Sequence, residues 1–245
     1  MPTPAASSPL DLPPQVWRGR ELAQAVEKTV ATGHAPLDAE LPGGGWPLGN
    51  LVEVLQQEAG RHAWQLLGPG LAAVLARSRD PAVLVQPPYQ PFGPALQAQG
   101  IAPERLLCVQ AEKPAARLWA AEQALRCGEV CAVLAWLPQA RPEDLRRLHL
   151  CAQDAEKLVV VFRGVQARQQ SSPARLRLLV AGSEAIEVSI LKRRGPPLLQ
   201  PLVLPAQGER LAALLAARKG RRSSLPVPVT AQEHVLDRRP TLAAG

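Results

Sequence analysis

The chain is 245 residues long, with 28 Lys or Arg against 21 Asp or Glu and a formal net charge of +7. Residues 1–191 carry 18 side chains of each sign, so the whole excess lies in 192–245, where ten bases face three acids. A neutral body excludes a histone-like or ribosomal coat of positive charge and leaves only a local basic segment to explain.

Hydrophobic residues make up 47% of the chain, which excludes global disorder. The length suits one α/β domain of roughly 200 residues with tails. No apolar run approaches the roughly 20 residues that a membrane span needs. The first fifteen residues, MPTPAASSPLDLPPQ, lack a basic stretch followed by an apolar one. A secretory signal is therefore not expected, and a cytoplasmic location is. Cys108, Cys127, Cys131 and Cys151 do not form the paired spacing of a zinc site and read as reduced structural thiols.

Residues 1–15 read as a disordered leader, and RGRELAQAVEKTV (18–30) as an amphipathic helix. The stretch 31–49 is rich in Gly and Pro, with Gly43, Gly44 and Gly45 forcing a loop. A regular alternation follows. Strands are predicted at 51–55, 82–85, 105–109, 131–137 and 157–163, and helices at 60–78, 94–99, 114–127 and 142–154. Glu143 and Asp144 fall in a helical first turn, where the macrodipole favours acids over a catalytic reading. Continuously apolar strands separated by helices predict a mainly parallel sheet covered on both faces.

The pattern then changes. RLRLLVA (175–181) and AIEVSILKR (185–193) alternate in polarity about a Gly-Ser-Glu turn, as an antiparallel C-terminal edge hairpin would. Beyond Pro196, Pro197, Pro201 and Pro205 only a short helix at 209–219 is predicted, with a flexible basic tail. The expected organisation is a leader (1–15), an N-terminal helix and Gly/Pro-rich loop (16–49), an α/β core (50–205) and the tail segment (206–245).

Such a fold carries its phosphate loop after the first core strand. Here LVEVL is followed by Gln56, Gln57, Glu58, Ala59, Gly60, Arg61 and His62. Gly60 alone survives from the pattern G-x-x-x-x-G-K-[ST]. Arg61 occupies or displaces the lysine, no Ser or Thr follows, and Glu58 repels a triphosphate.

Other strings are specific. Gly33-His34 through Leu37-Asp38, then Leu41, Gly43-Gly44 and Pro47 to Val54, resemble the lead-in to the core of RecA-type recombinases. Val16-Trp17-Arg18-Gly19, Leu41 to Pro47, Val133 to Pro138 and Ile190 to Pro197 more closely resemble the ImuA family, RecA-like accessory proteins of a bacterial mutagenesis cassette. The likeness spans roughly residues 16–205. It implies a RecA-like P-loop NTPase-type core with a degenerate nucleotide site and no cofactor. The aspartate that supports Mg²⁺ in recombinases falls on Trp136, and the water-activating glutamate falls on Pro88.

With lysine, metal holder and base lost together, no ATPase activity is expected, and no catalytic or metal-binding residue. What the resemblance implies instead is a non-catalytic adaptor in SOS-induced translesion synthesis. Its partners would be the inactive Y-family polymerase homologue ImuB, through it an error-prone replicative-type polymerase and the sliding clamp, and RecA itself. Two alternatives stay open: a SulA-type inhibitor of the tubulin-like division GTPase, and an active RecA-like DNA-dependent ATPase.

The residues alone offer a contact surface. Lys192-Arg193-Arg194 ends a strand, and Arg218-Lys219-Gly220-Arg221-Arg222 follows LAALLAAR. Each reads as a solvated segment or as a patch for phosphate or an acidic protein surface. Without interleaved aromatics, DNA binding would be weak, non-specific and steeply salt-dependent. Trp46, in the glycine loop, is a candidate exposed contact, whereas Trp64 and Trp119 are expected in the core. His149 is expected on the surface or half-buried.

Overall fold

The computed structural model describes residues 28–153, 155–183 and 185–205. The chain falls into two units, 1–206 and 207–245, and the sheet with its helices belongs to the first. The predicted helix at 209–219 and the basic residues Arg218, Lys219, Arg221 and Arg222 lie outside the described residues.

The sheet is built from β3 (Asn50–Gln56), β4 (Ala82–Val85), β5 (Leu106–Val109), β6 (Ala132–Trp136), β7 (Leu158–Gly164), β8 (Leu176–Ala181), β9 (Ala185–Lys192) and β10 (Leu202–Pro205). Their order is β10-β9-β8-β3-β7-β6-β4-β5. From β8 to β5 all neighbours are parallel, whereas β9 runs antiparallel to both β8 and β10. The protein is therefore an α/β protein with an eight-stranded, mostly parallel sheet. The first core strand, β3, lies inside it, between β7 and β8.

Two apolar layers follow from the alternation of side chains along these strands. On one face, α2 (Ala63–Arg77) buries Leu66, Leu67 and Leu71 against Val52, Val54, Leu84 and Phe162. On the other, α4 (Pro114–Arg126) and α5 (Pro142–Gln153) bury Leu125, Leu145 and Leu148 against Leu51, Val83, Val133 and Val159. Each such leucine contributes about 1.5–3 kcal/mol on transfer from water. The shorter α3 (Gly93–Ala98) inserts Leu96 into the first layer.

Four local expectations are corrected. Thr29 and Val30 belong to a short strand, β1 (Thr29–Val30), not to a helix, because Val30 pairs with Trp46 of β2 (Trp46–Pro47). The remainder of the predicted helix, 18–27, lies outside the described residues. The Gly/Pro-rich stretch also contains a helix, α1 (Ala35–Glu40), with Pro36 in its first turn, where the missing N–H costs nothing. Beyond Pro201 the chain adds β10, held by its ladder to β9. Trp119 is 64% exposed: α4 turns Ala121, Ala124 and Leu125 inward, and Trp119 falls on the opposite flank. Trp64 packs half-buried against the core.

Candidate functional site

In open α/β sheets ligands bind beyond the carboxyl ends of the strands, and the loop between β3 and α2 lies there. The loop is closed on itself. Gln56 is 3% exposed, and its side-chain oxygen accepts the Gly60 N–H at 3.2 Å while its amide nitrogen donates to the Arg61 carbonyl. Arg61 turns sideways onto Glu58, Nη1 to Oε1 2.8 Å, and His62 Nε2 donates to the Gly182 carbonyl at 3.0 Å. His62 takes the N-cap of α2 at φ 58°, a left-handed conformation, and no side-chain oxygen caps that helix.

The residues placed by resemblance at the lost catalytic positions occupy space there. A Cβ on Gly60, at φ +82°, would lie 2.7 Å from Pro88 Cγ, so the proline rests directly on the loop. Trp136, 5% exposed, stacks on Phe162 in a row with Val54. The cavity left beside Gln56, Glu58, Arg61 and His62 is about 50 Å³, against roughly 300–1,000 Å³ for small-molecule sites. A Mg²⁺-nucleotide therefore does not fit these residues: the amide aimed at the loop interior is spent on Gln56, and the one nearby base, Arg61, is spent on Glu58, whose own charge repels phosphate.

Two larger cavities lie elsewhere. One, of about 670 Å³, opens at the amino ends of β4, β6 and β7 among Asp80, Arg126, Cys131, Cys151 and Lys157. Lys157 is 7% exposed and donates to the carbonyls of Leu125 (2.8 Å) and Cys127, closing the C-terminus of α4. Burial lowers its pKa. Held by these carbonyls, the ammonium is a helix cap and not a nucleophile. The other cavity, of about 510 Å³, separates the first turns of α4 and α5, between Arg117, Leu118, Pro138 and Asp144. Asp144 accepts the Arg141 N–H at 2.9 Å and so caps α5, while Glu143 stands in its first turn, where an acid suits the helix dipole.

The cysteines are free: Cys131 is buried, Cys151 half-buried, and Cys108 and Cys127 are exposed. Burial raises the pKa of the Cys131 and Cys108 thiols. Among the described residues no three His, Cys, Asp or Glu side chains converge as a metal site, and no helix is long and apolar enough to cross a membrane.

The contact residues read from the sequence separate. Trp46 is fully buried and is no exposed contact, because the β1–β2 pairing carries the glycine loop onto α2. A Cβ on Gly70 would lie 2.6 Å from its indole, so the helix keeps a glycine there to admit the ring. Arg193 is drawn into the fold by Glu40, Nη1 to Oε2 2.8 Å, with a further bond to the Glu40 carbonyl. Lys192 remains exposed, its ammonium on the Ser172 carbonyl at 2.9 Å. Arg194 and Arg193 line a small cleft with Arg175, a residue the sequence did not single out.

Sequence reasoning also missed a buried ionic centre. Glu53, fully buried, receives Arg163 Nη1 at 2.9 Å and Arg177 Nε at 2.7 Å. Arg163 further donates to Ala140 and Gln170, and Arg177 to Ala167 and Arg168, so the triad ties two loops to the central strands. A lone charge in each of three otherwise apolar strands was the available signal.

No protein-family model matches the chain, and no curated protein matches it.

Proposed function

We propose that this protein is a non-catalytic, RecA-like adaptor of the ImuA type, working in SOS-induced translesion synthesis through protein contacts. The observation that carries the reading is the closed loop after β3, where Gln56 satisfies the backbone that a phosphate would engage. Three supports stand beside it. The sheet is mostly parallel and ends on an antiparallel edge, as the resemblance to recombinase cores requires. Trp136, which the resemblance puts at the metal-supporting position, is buried in the core, and Pro88, which it puts at the base position, lies against Gly60. The string from Ile190 to Pro197 is the most specific element of the resemblance to the ImuA family.

On this reading the partners are an ImuB-like inactive Y-family polymerase homologue, an error-prone replicative-type polymerase held through it, and RecA. The test is co-purification of the full chain with the ImuB-like partner, compared with a chain ending at 205. A cut at 192 would remove β10 from the sheet and confound folding with binding. The expected result is a complex with the full chain. Absence of any complex, together with filamentation of undamaged cells on expression, would favour the SulA-type alternative. Stoichiometric release of γ-phosphate would favour an active ATPase.

A further inference from the structure

The loop that Gln56 closes carries the segment after β4 on its outer side, and that segment projects two rings. Residues 81–103 contain no Lys, Arg, His, Asp or Glu, in a chain that is 20% charged. Within them, Gln86-Pro87-Pro88-Tyr89-Gln90-Pro91-Phe92 joins β4 to α3. Gln86 adopts a left-handed φ of 52°, a conformation uncommon outside glycine that persists only where the surroundings hold it. Its N–H donates to the Val109 carbonyl at 2.8 Å, and its side-chain oxygen accepts the Ala111 N–H at 2.7 Å. Pro87 is buried, and Pro88 and Tyr89 rest on Gly60. At the far end the Phe92 carbonyl accepts the N–H groups of Ala95 and Leu96, which opens α3. Three prolines and two clamped ends hold this loop. Yet Tyr89 is 73% exposed and Phe92 71%.

We propose, resting on the adaptor reading, that Tyr89 and Phe92 are the anchors by which this protein holds its polymerase-like partner, both rings entering an uncharged, apolar pocket on that protein.

Rings held rigid at a surface bind with little further loss of freedom. Aromatic side chains with charge depleted around them are the composition of an interface core, where a few such anchors carry most of the energy. At these exposures the rings stand out from the loop instead of lining a recess, so the pocket belongs to the partner. Charge then selects the chemistry. A nucleic acid needs Lys or Arg for its phosphates, and Arg61, on the loop beneath, is spent on Glu58 at 2.8 Å. A charged peptide finds no counter-ion within 81–103. Trp119 makes the contrast: it is 64% exposed, but it stands one turn from Glu122, which holds Arg126 and Arg147.

The test is calorimetry of the full chain with the ImuB-like partner, comparing the parent with Phe92→Ala, with Tyr89→Ala plus Phe92→Ala, and with Trp119→Ala. Phe92→Ala is expected to weaken the complex by about tenfold and the double variant by about 100-fold. The factor should be the same at low and high salt, because no charge is removed. Trp119→Ala should bind as the parent does. The rings are exposed, and an unchanged melting temperature verifies the fold. A complex that forms equally well without the two rings overturns this inference and leaves the adaptor reading standing, whereas no complex with the parent overturns both. An equal loss in Trp119→Ala would also overturn it, by showing general adhesion of exposed aromatics. So would binding of a single-stranded 20-mer or of phosphatidylcholine vesicles that depends on Tyr89 and Phe92, which would assign the rings to base stacking or to a lipid surface.

Discussion

Trp136 and Phe162, register partners on the parallel strands β6 and β7, lie ring on ring with centroids 4.4 Å apart and planes 11° from parallel. Both are almost fully buried. The pair fills the carboxyl end of the central sheet with apolar volume, at the edge where an α/β enzyme usually keeps polar groups for its ligand. Trp136→Ala is expected to destabilise the protein by about 3–5 kcal/mol, measured as a lower urea midpoint at unchanged slope. A loss below about 1 kcal/mol would show that the ring is not part of the core.

The closed loop predicts indifference to nucleotide. ATP with Mg²⁺ at millimolar concentration is expected to leave the melting temperature where it was, because a ligand that binds only the folded state raises it in proportion to RT ln(1 + [L]/Kd). Arg61→Lys with His62→Thr restores two motif residues but not the cradle, since Gln56 still occupies the Gly60 N–H. That variant should remain without γ-phosphate release. A shift of several degrees, in either protein, would contradict the misfit of nucleotide to these residues.

Glu53 is the sole carboxylate bonded to Arg163 and Arg177 among the described ion pairs. Glu53→Gln keeps the shape and removes the charge, leaving two buried guanidinium groups uncompensated, at a cost of about 3–5 kcal/mol. Replacing all three, Glu53→Leu with Arg163→Met and Arg177→Met, should recover much of that loss. Chemical denaturation of the parent and both variants measures the two effects. An E53Q variant as stable as the parent would mean that the carbonyls around the arginines suffice.

His149 supplies a pH dependence of known sign. Its pKa is lowered by burial, then by Lys192 and Arg175, so the folded state binds its proton less readily than the unfolded chain does. Stability tied to this group is complete above the unfolded value of about 6.5 and is lost as the pH falls from there through the depressed folded value. Melting temperatures of the parent and His149→Gln, followed from pH 7 to pH 5, should converge toward or cross in favour of the variant on the acid side. Parallel curves would show that the imidazole is not penalised by its surroundings.

Much of the fold was legible because its signals are local. The strand at 82–85 and the helix beginning at 114 stand where the sequence predicts them, since continuous apolar runs and a proline in a first turn are readable one segment at a time. The antiparallel hairpin was readable from its period of two and its turn. What failed was the inference of burial from neighbouring residues. Trp46 read as exposed because glycines surround it, yet those glycines let the backbone close over it. Trp119 read as core because alanines surround it, yet its helix presents another flank to the sheet.

The sequence by itself determined the alternation of strands and helices from 50 to 163, the hairpin that follows it and the neutrality of residues 1–191, because each depends on residues close together in the chain. Only the tertiary structure decided which distant groups meet. Glu53 finds its arginines 110 and 124 residues away, and Arg193 meets Glu40 across 153 residues. Charges interact through space rather than along the chain, so their grouping had to wait for the sheet that places them.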